Sequence, residues 1–156
     1  MRSDILLFLG LVTVVSGGVI AVVIFLFGGG GGGGSSVCDR PLPPQGDREI
    51  SQDAFQARDA GITQVIEAAR MGNVQAANEA YYADNNEIHN FTINIDQRLR
   101  GEDEELAKEL CEAVIELEED LVGAQPSADV ILVQVRRVQD LLREAAEALG
   151  YTRPGE

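Results

Sequence analysis

From Ile5 to Phe27 the chain runs 23 residues without a charged side chain, with Thr13 and Ser16 as its only hydroxyls. At about 1.5 Å per residue a helix of that length reaches roughly 34 Å, enough to cross a hydrocarbon core of about 30 Å. In such a medium a lone segment can satisfy its backbone polar groups only as a helix. A cleaved leader is the rival reading, but the small cluster Ser16-Gly17-Gly18 sits in mid-run and nine residues up to Phe27 follow it. A leader's apolar core is usually about 7 to 15 residues and ends at its small residues. The run is therefore expected to be an uncleaved single-pass anchor, in contact with the lipid bilayer. The residues before it, Met1 to Asp4, form a short head that is expected in the cytoplasm. The acidic remainder then lies on the extracytoplasmic side.

Behind the anchor stand seven glycines, Gly28 to Gly34, then two serines, and then Cys38-Asp39-Arg40-Pro41-Leu42-Pro43-Pro44. Glycine tracts behave as flexible coil and prolines favour extended backbone, so residues 28–46 read as a linker. The charge balance is −14, with a pI of about 4.3. Such a surface excludes nucleic acid and anionic lipid as main electrostatic partners, since both require positive charge. With two cysteines, the sequence implies no disulfide framework. Cys38 reads as an exposed tether thiol able to cross-link two anchors, and Cys111, among apolar residues, as a small buried hydrophobe.

From Ser51 onward the period is helical. Phe55, Ile62, Val65, Ile66 and Ala69 share one face, and Gly72-Asn73 breaks the pattern with Asn73 as a cap. Val74, Ala77, Tyr81, Ile88, Ile95 and Leu99 form a second stripe with Phe91 beside it, ended by Gly101. Leu106, Leu110, Val114, Leu117 and Leu121 form a third; Gly123 and Pro126 turn the chain. Ile131, Val135, Val138, Leu142, Ala145 and Leu149 form a fourth, stopped by Gly150 and Pro154. No stretch alternates with period two. The expected fold is all-α: a transmembrane helix, a flexible linker, an antiparallel four-helix bundle over residues 47–150 and a short tail, 151–156.

Several residues then suggest a family. Met71-Gly72-Asn73, Ala76-Ala77, Ala80-Tyr81-Tyr82, Ile95-Asp96 with Leu99-Arg100, and Glu105-Leu106-Ala107 through Leu117-Glu118 together resemble the extracytoplasmic helical domain of bacterial high-affinity iron permeases. The resemblance covers about half of the chain, from Ala68 to Leu149. It implies a role as a metal-cation accessory to iron uptake, with a membrane transporter or envelope protein as partner. That family's transport core has many membrane helices, and this chain offers one apolar run, so it cannot be a permease alone. The family's Arg-Glu-x-x-Glu iron motif occurs here at Arg143-Glu144-Ala145-Ala146-Glu147. It falls on an amphipathic stretch, whereas the family carries it in membrane helices.

The candidate ligands are His89, the only histidine, and the stripe Glu105, Glu109, Glu112, Glu116 and Glu119. Imidazole and carboxylate suit iron or another divalent cation, so Glu109, Glu112, Glu116 and His89 are the candidate metal residues. The competing explanation for the stripe is a solvated helix flank, and for His89 a hydrogen-bonded side chain at the core's edge. A di-iron bundle needs two Glu-x-x-His pairs, which one histidine cannot supply. No phosphate loop, nucleophile elbow or second histidine is present, so no enzymatic role is expected. The alternative to the metal reading is a structural module that docks an envelope or membrane partner without metal.

Overall fold

A computed structural model describes residues 37–44, 49–83 and 88–155, and all of them fall within one compact unit. The expected anchor, Ile5–Phe27, and the glycine tract lie outside the described residues. Among the described residues no helix is long and apolar enough to cross a membrane.

The described fold is helical, with no strand among its residues. A 3-10 turn at Val37–Asp39 precedes five α-helices: α1 (Gln52–Arg70), α2 (Val74–Tyr81), α3 (Ile88–Glu102), α4 (Glu104–Val122) and α5 (Ala128–Ala148). The starts of α1, α2 and α4 have a local cause. Ser51 Oγ accepts from Ala54 N–H, Asn73 Oδ1 from Ala76 N–H and Asp103 Oδ1 from Leu106 N–H, each satisfying an amide that the first turn leaves without a helical partner. Two ends are closed by left-handed glycines. At Gly72 (φ 71°) the following amide of Asn73 returns to Ala68 O, and at Gly150 (φ 81°) that of Tyr151 returns to Ala146 O.

Two boundaries depart from the sequence-based expectation. The second stripe is carried by two helices: α2 ends at Tyr81 and α3 begins at Ile88. The stripe itself survives the break, because Tyr81 and Ile88 are both buried. Gly101 does not end a helix but lies within α3. Asp103 makes the break instead, because its carboxylate caps α4.

Side-chain pairs fix the directions. Asp59 meets Arg143 while Thr63 meets Gln139, so α1 and α5 are antiparallel. Glu116 meets Arg137 while Glu109 and Glu144 line one depression, so α4 opposes α5. Asn78 donates to Leu121 O and Tyr81 to Glu118, so α2 opposes α4. The apolar stripes converge on one core. Among their members only Val74 and Leu106 are less than fully buried. Phe55 stands edge-on to Phe91 at 4.9 Å between centroids and tilted against Tyr151 at 5.3 Å.

The tail is part of this body. Tyr151 Oη donates to Ile50 O (2.7 Å), and Gln52 and Thr152 exchange two hydrogen bonds. Pro154 is buried.

Candidate functional site

The linker expected over 28–46 does not stay free along its described part. Residues 37–44 lie on α3 and α4 as a strap. Cys38 is joined to Cys111 across 73 residues, with a Cα–Cα distance of 5.8 Å, and no cysteine is free. This corrects both cysteine expectations: Cys38 is not an exposed thiol and Cys111 is not a simple hydrophobe. The reason is proximity, since the strap brings Cys38 onto the buried face of α4 beside Cys111. Around the cystine, Arg100 Nη2 donates to Cys38 O (2.6 Å) and Leu42 N–H donates to Asp96 Oδ2 (2.8 Å). Arg100 Nε also donates to Asp96 Oδ2 (2.9 Å), and Lys108 pairs with Asp39. The Asp39 carboxylate raises the Lys108 pKa through that hydrogen bond. Asp96 and Arg100 are buried to 1% and 8% side-chain exposure. Asp96 Oδ1 has no hydrogen-bond partner among the described residues.

A second centre forms on Glu118, which the sequence did not single out. Tyr81 Oη donates to Glu118 Oε1 (2.9 Å), and His89 Nδ1 lies 2.9 Å from Oε1 and 3.0 Å from Oε2. One carboxylate thus ties the end of α2 and the start of α3 to α4. The hydrogen bond to Glu118 raises the His89 pKa, with partial burial opposing. Burial, then the charge of Glu118, pushes the Tyr81 phenol well above its ordinary value. The signal for this centre was present in the sequence as Leu117-Glu118, a carboxylate one position from a core leucine.

The other candidate ligands are separated. His89 faces Glu118, and not the stripe. Glu116 is paired with Arg137 at 2.9 Å, and Glu112 stands 3.9 Å from Lys108. Glu109 shares a shallow depression with Asp103, Glu105, Leu106 and Glu144. Among the described residues no group of three or more His, Cys, Asp or Glu side chains is arranged to hold a metal ion. The Arg-Glu-x-x-Glu segment divides its side chains in the same way. Arg143 grips Asp59, Glu147 meets Arg153 at 3.3 Å, and Glu144 enters the acidic depression.

The two ends of the helical body differ chemically. The strap, the tail and the start of α1 gather where α4 begins and α5 ends. At the opposite end Met71, Val122, Val130 and Val133 are exposed, whereas at the near end Val37 of the strap is the exposed large apolar side chain among the described residues. The antiparallel pairings above bring the end of α1, the end of α4 and the start of α5 to that same end.

No protein-family model matches the chain, and no curated protein or solved structure matches it significantly.

Proposed function

We propose that this chain is a single-pass membrane protein whose bundle docks an envelope or membrane partner outside the cytoplasm without catalysing a reaction. In this reading the bundle has four rods, the second of them broken into α2 and α3. The observation that carries it is the exposed apolar end opposite the strap. Met71, Val122, Val130 and Val133 come from three elements, and side chains of that kind left in water at one end are what a partner surface uses. The cystine supports the compartment, because such bonds persist in oxidising surroundings and are rare in the cytosol.

The test is site-specific photo-cross-linking in the membranes of cells that make the full chain. A cross-linker at Val133 is expected to give a discrete protein adduct, lost when Met71 and Val122 are changed to Glu; one at Arg153 gives none. Absence of any adduct from Val133 overturns the docking reading.

A second reading, a cation-collecting accessory to iron uptake, is favoured by one observation: Glu109 of the stripe and Glu144 of the Arg-Glu-x-x-Glu segment line the same depression. If that depression takes up iron or another divalent cation, added metal raises the melting temperature with the logarithm of its concentration. The Glu109→Gln/Glu144→Gln variant then loses the response. Equal responses in wild type and variant remove the depression from any account of function.

A further inference from the structure

The strap is held in an unusual balance. Of its eight residues, Cys38 is fully buried and Leu42 is half-buried, while the other six are exposed. Its one fully buried anchor is therefore the half-cystine itself. Its hydrogen bonds include those with Asp96, Arg100 and Lys108, charged groups that water would solvate if the strap left, so exchanging water for strap gains little. Asp96 Oδ1 stays unmatched beneath it. Pro41, Pro43 and Pro44 have no N–H to donate, which leaves Leu42 as the one amide of residues 41–44, and it is already directed at Asp96.

We propose that the Cys38–Cys111 bond is a redox latch. Oxidised, it holds residues 37–44 on α3 and α4; reduced, it lets the strap leave and uncovers the Asp96–Arg100 face of α3. Opening consumes a dithiol. One thiolate attacks a cystine sulfur to form a mixed disulfide, and the second thiol resolves it, so the dithiol leaves as a disulfide and Cys38 and Cys111 end as thiols. Closing is the reverse exchange, in which a disulfide-bearing oxidant takes up the two electrons and two protons of the Cys38 and Cys111 thiols and leaves as a dithiol. Cys38 and Cys111 are 0% and 3% exposed, so attack requires the strap to open locally first, and the latch persists once set.

The test uses the full chain in lipid nanodiscs and reads amide hydrogen exchange at Leu42. Three forms are compared: oxidised wild type, wild type reduced with dithiothreitol, and Cys38→Ala/Cys111→Ala. In the latter two, Leu42 is expected to exchange at least about 100-fold faster, while the amides of Leu110 and Leu142 keep their protection. Equal Leu42 protection in all three forms overturns the latch, because the strap then holds without the bond. Loss of protection throughout α4 and α5 also overturns it, because the cystine is then a staple of the whole fold. Alkaline-carbonate extraction tests the anchor separately. Release of the chain from membranes would remove the anchor, leaving Leu42 exchange to decide the latch.

Discussion

Arg143 grips Asp59 across 84 residues through two hydrogen bonds, Nε to Oδ1 at 2.7 Å and Nη2 to Oδ2 at 3.2 Å. The fork geometry matches a guanidinium to a carboxylate, and the pair ties α1 to α5 at the end where the tail docks. Gly155 lies over it: a Cβ there would stand 3.0 Å from Arg143 Nη2.

Removing one partner leaves the other charge in a half-buried place. Arg143→Ala is therefore expected to cost about 2 to 3 kcal/mol in urea unfolding. The double variant Asp59→Ala/Arg143→Ala should cost less than the two single changes added together. Simple additivity would mean that the two groups do not stabilise each other.

The core makes a simpler demand. Leu110 and Leu142 are 1% and 0% exposed, on α4 and α5. Each change to Ala is expected to cost about 2 to 5 kcal/mol, the larger values where the cavity cannot collapse. A cost near zero at both positions would contradict their place in the core.

These core positions were legible in the sequence because the helical period is a local signal, and the stripes through Phe55, Leu117 and Val135 carry it without interruption. The break between α2 and α3 was not legible, since the apolar period continues from Tyr81 to Ile88 across it. Nor was the cystine: Cys38 and Cys111 are 73 residues apart, and what joins them is the path of a Pro-rich segment that has no period. The candidate site fared similarly. Identifying Glu105, Glu109, Glu112 and Glu116 as one helix flank needed spacing alone. That Arg137 answers Glu116 while Glu118 answers His89 depends on which helix lies beside which.

Under the strap, Arg100 serves Asp96, Cys38 O and, at 3.9 Å, Glu104. Arg100→Ala strands a carboxylate that is almost wholly buried, and a cost of about 3 to 5 kcal/mol is expected. Arg100→Lys should recover only part of it, because an ammonium cannot present the planar fork that reaches both acceptors. Full recovery by Lys in chemical unfolding would show that charge alone, and not geometry, matters here.

The Glu118 centre links the stability of the fold to pH. His89 sits with Nδ1 within 3.0 Å of both Glu118 oxygens, and its pKa is raised above 6.5, first by that hydrogen bond and further by the charge of Glu118, against partial desolvation. A group whose pKa is higher folded than unfolded binds its proton more tightly in the native state. Its stabilising contribution is therefore fully present below the unfolded value of about 6.5 and is lost as pH rises through the folded value. Because the His89 side chain is 48% exposed, solvent screening keeps the effect small. The measurement is urea unfolding of wild type and His89→Gln from about pH 5.5 to about 8.5, a range in which ordinary carboxylates stay ionised. The advantage of wild type over His89→Gln should be largest at the acid end and should shrink as pH rises above the folded pKa. Glu118→Gln is the control. It keeps an acceptor for Tyr81 but removes the charge, so the His89 pKa should fall back and most of the pH dependence of the His89 contribution should vanish. A wild-type advantage that does not change with pH would mean that the imidazole contributes by packing alone, and that the short contact to Glu118 carries no proton-linked stability.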